Sequence, residues 1–196
     1  MNIEPIILSG TQIRLEPLSF DHLDGLCEVG LEPELWRWIP TAITNRDEMR
    51  AYVETALRSQ AEGKAIPFAT VLNETDQVVG STRFANIDRE NKHVEIGWTW
   101  IGKPWQRTAV NTEAKYLMLQ HAFETLGCIR VEFKTDSLNQ QSRNAILRIG
   151  AREEGTFRNH MITQSGRYRH SVYFSVIDSE WPDVKTVLEA RLAGRS

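Results

Sequence analysis

The chain has 196 residues, 41% of them hydrophobic and 25% charged, and carries a formal net charge of −3. That length suits one domain with a substantial core, and the acidic balance excludes the basic face that non-specific nucleic-acid binding needs. No run approaches the ~18 consecutive apolar residues of a membrane-spanning helix, so neither a membrane nor a nucleic acid is an expected partner.

The first eleven residues lack the basic start and sustained apolar core of a signal peptide. The two cysteines, Cys27 and Cys128, form no zinc or disulfide pattern and read as buried thiols of a reducing compartment. A cytoplasmic protein without a metal follows. Residues 1–196 show no internal repeat, linker or composition break, and a single domain is expected, with a terminal helix at about 182–193 as an addition.

Ile13 to Leu18 alternates apolar and polar, the pattern of a half-buried strand. Ser19 is placed to cap a helix to about Gly30, with Leu23, Leu26 and Cys27 facing inward. Leu31 to Pro40 is irregular but rich in apolar side chains. Thr44 introduces a second helix, Asn45 to about Glu62, which Gly63 stops. Pro67–Leu72 and Val78–Phe84, separated by the polar run Asn73–Gln77, predict a hairpin. Asn91–Ile101 is a further strand. Thr112–Leu126 carries the clearest helical stripe, with Ala114, Leu117, Met118 and Ala122 on one face. Ile129–Thr135 alternates as a strand, and Asn139 caps a helix to about Ile149. Extended segments at about 152–162 and 171–177 precede a last helix behind Pro182. Early antiparallel strands, a helical crossover and mixed pairing late in the chain predict an α+β, α/β-sandwich fold with a mixed, mostly antiparallel central sheet flanked by helices.

The chemistry concentrates where the strand ending in Glu95-Ile96-Gly97-Trp98-Thr99-Trp100-Ile101 runs through Gly102-Lys103-Pro104-Trp105 into Gln106-Arg107-Thr108-Ala109-Val110-Asn111-Thr112-Glu113-Ala114. A strand that feeds a short loop opening straight into a helix leaves the unpaired N–H groups of the first helical turn facing outward. The macrodipole adds positive potential there, which suits a pyrophosphate. Lys103 and Arg107 add charge beside it. Asn111 reads as a good N-cap, and Ala109 fits a close backbone approach provided its φ is negative.

This block resembles the acetyl-CoA loop of the GNAT N-acetyltransferases, Gln/Arg-x-x-Gly-x-Gly/Ala, with Gln106 at the first position and Ala109 and Asn111 at the small-residue positions. Further stretches carry the resemblance to the ribosomal-protein N-terminal (RimJ/RimL-type) branch: Leu8-Ser9-Gly10 with Arg14-Leu15-Glu16-Pro17-Leu18, Glu95-Ile96-Gly97-Trp98, Thr112-Glu113-Ala114, Asn139-x-x-Ser142-Arg143, and Leu147-x-x-Gly150-Ala151-x-x-Glu154-Gly155. They span roughly residues 8 to 178 in the family's order.

The resemblance implies a GNAT-like fold and direct acetyl transfer from acetyl-CoA to a primary amine in a ternary complex, the acceptor being a protein N-terminus or a small molecule. It implies a bulge that splays the strand around Trp98 to Ile101, so that backbone amides of Trp100 and Ile101 meet the coenzyme arm. The implied coenzyme-binding set is Trp100, Ile101, Gln106, Arg107, Thr108, Ala109, Val110, Asn111, Thr112, Asn139, Ser142 and Arg143. Arg143 or Arg148 would serve the 3′-phosphate; the alternative for both is a solvated helix face. Glu95 is the candidate general base and Ser142 the candidate proton donor, with Tyr168 and Tyr173 as substitutes for the latter. In a regular strand Glu95 shares a face with Gly97 and Thr99, opposite Ile96, Trp98 and Trp100. Trp36 and Trp38 are read either as lining the acceptor pocket or as core, and His121 as a structural or surface histidine rather than a ligand. A non-catalytic acyl-CoA-binding sensor or partner protein is the alternative function, and a homodimer is left open.

Overall fold

In the computed structural model, which describes every residue except Asn2, Pro40, Arg195 and Ser196, the chain begins with a short strand β1 (Leu8–Ser9) that its pattern does not announce. Strand β2 (Ile13–Pro17) follows, with Ile13 and Leu15 fully buried as the alternation requires. Ser19 does act as a cap, but a 3₁₀ turn (Phe20–His22) intervenes before helix α1 (Leu23–Gly30). Leu23 and Leu26 are buried, whereas Cys27 is only half-buried. Pro40, the expected end of the irregular stretch, lies outside the described residues. Helix α2 (Arg46–Ala61) is capped by Asn45, not Thr44: Asn45 Oδ1 accepts from the Glu48 N–H at 2.9 Å.

The expected hairpin is β3 (Ile66–Leu72) with β4 (Val78–Asp88), and β5 (His93–Ile101) pairs with β4 in turn. Helix α3 (Ala109–Gln120) starts three residues before the sequence boundary, because Thr108 and not Asn111 is its N-cap. It continues through one wider helical turn (His121–Thr125). Strand β6 (Arg130–Asp136), helix α4 (Gln140–Arg148) capped by Asn139, β7 (Arg152–Ile162), β8 (Tyr168–Ile177) and α5 (Trp181–Leu192) complete the order. Strand β8 begins three residues before the expected Ser171, extended by pairs from Arg169 to Met161 and Tyr168 to Ile162.

The eight strands form one sheet in the order β1-β2-β3-β4-β5-β6-β8-β7. Every pair is antiparallel except β5 with β6, which α3 connects as a crossover. One face packs Phe68, Phe84, Ile96 and Phe133 against α3 and α5. The other packs Ala69 and Val71 against α1 and α2. Helices therefore cover both faces of a mixed, mostly antiparallel sheet, the expected α+β sandwich. No described helix is long and apolar enough to cross a membrane.

Candidate active site

Strands β5 and β6 stay paired for only three residues, His93 with Arg130, Val94 with Val131 and Glu95 with Glu132. Beyond Glu95 they diverge, and the edge of β5 that would continue the ladder is left without a strand partner. On its other side β5 is bulged against β4: Ser81 opposes Trp100 and Arg83 opposes Gly97, so Trp98 and Thr99 together face the single residue Thr82. Trp98 takes up the extra length at φ 53°. A bulge of this kind bends the strand and raises its local twist, which turns β5 away from β6.

The bulge also reverses the side-chain alternation. Trp98 and Trp100, expected opposite Glu95, lie on its face of the sheet: Trp100 packs on Trp36 with ring centroids 5.3 Å apart, and Trp98 covers the Arg83 guanidinium at 4.8 Å. Thr99 turns to the α3 face instead and hydrogen-bonds the Thr82 hydroxyl at 2.7 Å.

The gap opens into a cleft of about 850 Å³ lined by β5, the start of α3, β6 and α4. The first turn of α3 forms part of its lining, through Thr108 and Asn111. Thr108 Oγ1 accepts from the Val110 N–H at 3.3 Å and donates to the Trp105 carbonyl at 2.7 Å. Asn111 sits in the first turn, and its side chain lines the cleft. Ala109 is already helical, so its methyl lies in ordinary backbone geometry. The left-handed residue is Arg107, at φ 62°, which reverses the chain immediately before the cap. Gln106 staples the loop to β5 by donating from Nε2 to the Ile101 carbonyl at 3.0 Å. The first-turn N–H groups that Thr108 leaves uncapped and the dipole behind them favour an anion here. The cleft walls agree, with Lys103, Arg107, Lys115, Lys134, Arg148 and Arg169 set against Glu32, Glu34 and Glu95.

Glu95 sits where the strands part. It is only 4% exposed, and Oε2 accepts from Asn86 Nδ2 at 2.8 Å and from Lys134 Nζ at 3.1 Å. Glycine at position 97 leaves room for this placement, since a Cβ there would fall 2.8 Å from Glu95 Oε1 and displace that oxygen. On the far wall Asn139 Oδ1 accepts from the Ser142 N–H at 3.0 Å, and both residues line the cleft. Across from them, Lys115 Nζ is buried on α3 and donates to Thr99 Oγ1 at 2.6 Å and Thr82 Oγ1 at 3.3 Å. Burial alone pushes its ammonium down to about 7.

Trp100, Ile101, Gln106, Arg107, Thr108, Asn111, Asn139 and Ser142 thus meet around one cleft, together with Trp38 and Glu95. Ala109, Val110 and Thr112 do not line it with their side chains. Val110 is buried in the core beneath α3, so these three face the cleft end through backbone at most. Two more of the expected site residues are not among those that line the cleft. Trp36 is core, 3% exposed, with Nε1 donating to the Gly30 carbonyl at 2.7 Å and its ring on Tyr52 and Trp100. Arg143 turns away from the cleft and pairs with Glu153 at 3.1 Å, while Arg148 does line it.

Of the alternative proton donors, Tyr168 is 62% exposed outside the cleft, and Tyr173 lies under Lys134 Nζ, 5.5 Å from its ring centroid. His121 is buried beside Phe84, as a structural histidine would be. The sequence reading missed Asn86, Thr82, Lys134, Arg169 and Lys115. Lys115 alone carried a signal, standing four residues after Asn111 and hence on the same helix face.

The acetyltransferase (GNAT) domain model matches residues 12–152. YdaF of Bacillus subtilis strain 168, provisionally named a ribosomal N-acetyltransferase, is 33% identical over 175 residues, covering 87% of this chain and 92% of YdaF. A GCN5-related N-acetyltransferase from Brucella melitensis superposes with a TM-score of 0.89 at 34% identity, over 96% of this chain and 86% of that one. RimJ of Mycobacterium smegmatis, solved in complex with CoA-disulfide, shares the fold at a TM-score of 0.81 and 21% identity, over 96% of this chain and 92% of RimJ.

Proposed function

The chain belongs to the acetyltransferase (GNAT) family and is an acyltransferase, and from that premise we propose that it moves the acetyl group of acetyl-CoA to a primary amine by direct attack in a ternary complex. The observation that carries the reading is the parting of β5 from β6 after Glu95, directly in front of the first turn of α3.

The residues fit the coenzyme on features independent of any resemblance. A helix N-terminus with a left-handed Arg107 before it suits a diphosphate. The unpaired edge of β5 suits an amide-bearing arm, as a strand edge suits an added strand. Trp100 Nε1 is buried beside the cleft without an acceptor. Acetyl-CoA supplies an activated thioester.

Toward it, each part of the cleft has a role that its position supports. Backbone N–H groups of Thr108, Ala109 and Asn111, with Arg107, hold the diphosphate. The amides around Trp98 to Ile101 orient the arm and polarise the carbonyl as an oxyanion-type donor set, which needs no reorganisation during reaction. Glu95 receives the proton of the attacking amine, directly or through water, held in place by Asn86 and Lys134. Ser142, in the first turn of α4, returns a proton to the departing thiolate. Trp38, Leu35 and Ile39 wall the acceptor side.

With YdaF so named and sharing a third of its residues, a protein N-terminus heads the acceptor classes, followed by small amines. A screen of peptide N-termini and small amines with acetyl-CoA, following release of free thiol, tests the proposal. Acetyl-dependent thiol release with at least one amine is expected; tight CoA binding without turnover on any of them would replace transfer by sensing.

A further inference from the structure

Lysine is rarely buried without a carboxylate, because a desolvated ammonium needs a counter-charge or a full set of acceptors. Lys115 is 6% exposed and has neither. Two of its three N–H donors are taken by the hydroxyls of Thr99 and Thr82, at 2.6 and 3.3 Å. No ion pair joins it to any described carboxylate. The charged groups on the surrounding elements are engaged elsewhere. On α3 itself Glu113 accepts from the N–H groups of Thr11, Gln12 and Ile13. On β4 Arg83 lies between the Tyr52 and Trp98 rings. Glu95 of β5 and Lys134 of β6 pair with each other. Arg107 before α3 and Arg148 of α4 also line the cleft, and both are cations that offer Lys115 no counter-charge. The lowering of the Lys115 ammonium accordingly has burial as its only cause.

The hydroxyl pair is itself a product of the bulge. Without the reversal at Trp98, Thr99 would face α1 and α2, and Lys115 would lose its closest acceptor. The strand irregularity that opens the cleft therefore also anchors a cation at its floor. Lys115 and Thr99 both line the space between the parted strands, one helical turn beyond Asn111.

We propose that Lys115 is a further coenzyme-binding residue, held by Thr82 and Thr99 so that its remaining N–H is offered to an acceptor atom of the pantetheine arm, a carbonyl oxygen or the sulfur. This rests on the acetyl-CoA reading above. It has a consequence that a purely structural lysine lacks. An acceptor for the third N–H favours the charged form, so a lysine partly neutral in the free protein takes up a proton as the arm arrives.

Calorimetric titration of CoA into the full chain near pH 7.5, repeated in buffers of different ionisation enthalpy, counts the protons bound. Wild type is expected to take up roughly half a proton or more beyond Lys115→Met. The excess should vanish for 3′-phospho-ADP, which has the phosphates and adenosine without the arm. Acetyl-CoA and CoA giving the same excess assigns the contact to an arm carbonyl, whereas an excess with CoA only assigns it to the sulfur. Equal uptake by wild type and Lys115→Met, with CoA bound by both, overturns the inference and leaves the acetyl-CoA reading standing. No CoA binding by wild type removes both. Should Lys115→Met fail to fold, NMR titration of the lysine side chains in wild type with and without CoA reads the same change. The one ammonium titrating near neutrality is expected to move upward with CoA, and an unmoved resonance counts against the proposal.

Discussion

Lys134 Nζ reaches Glu95 Oε2 at 3.1 Å across the point where β5 and β6 separate, two residues past their last pair. The ion pair ties the last paired residue of β5 to a residue of β6 beyond the ladder, and it presents the carboxylate at the mouth of the opening. Asn86 Nδ2 shares the same oxygen, leaving Oε1 toward Gly97 and the cleft.

Glu95→Gln keeps the size of the side chain and removes its capacity to take a proton. The expected loss is ~10²–10⁴-fold in kcat/KM with an unchanged affinity for CoA. Steady-state kinetics with the best amine, across a pH series, is the measurement. A loss of less than about threefold at every pH would take Glu95 out of the proton path and leave it as a strut between strands.

Arg107 combines a left-handed backbone with a charge beside the anion end of the cleft. Replacement by glycine separates these two contributions. Relief of the positive φ is expected to raise stability by ~0.5–1 kcal/mol, while CoA binds more weakly for want of the guanidinium. Urea unfolding and CoA titration on the same variant give the two signs. Changes in the same direction would contradict the assignment.

A Cβ on Gly80 would stand 2.3 Å from the Trp100 carbonyl, a backbone atom that cannot step aside. Gly80→Ala must therefore push β5 at its bulged segment, which lines the cleft. A destabilisation of ~1–3 kcal/mol is expected, with CoA affinity falling as well. Chemical denaturation together with CoA titration checks it, and a variant as stable as wild type would show that the β4–β5 spacing is looser than described.

The sign of the pH dependence at Lys115 follows from its ammonium being pushed down to about 7 by burial. Below that pH the lysine is charged in both folded and unfolded chains, and the full cost of its burial is present. Between there and the ordinary value of ~10.4 the unfolded chain binds more protons, so stability rises with pH. Lys115→Met should consequently be the more stable protein near pH 6, by at most ~5 kcal/mol, with the advantage fading toward pH 10. Denaturation curves at the two extremes test this. A gap independent of pH would mean that the ammonium is well solvated in the folded state.

Much of this architecture was legible in the chain itself, for reasons that are local. Alternation marked β2 and β6, the Asn73–Gln77 run marked the hairpin, and Asn139 announced α4, because strand period and capping depend on neighbours a few residues away. The loop from Trp105 to Asn111 was legible for the same reason, since a strand feeding a helix start, the setting that favours an anion, is a contiguous feature.

Tertiary structure decided the remainder. A period of two cannot register an extra residue in one strand, so only pairing with β4 reveals that Trp98 and Trp100 share a face with Glu95 while Thr99 turns to Lys115. Whether Trp36 or Trp38 meets the cleft depends on what α2 and Trp100 occupy, and Arg143 pairs with Glu153 because α4 returns beside β7. Local preference sets which elements form; register and packing between distant segments set which side chains meet, and the chemistry of this cleft belongs to those meetings.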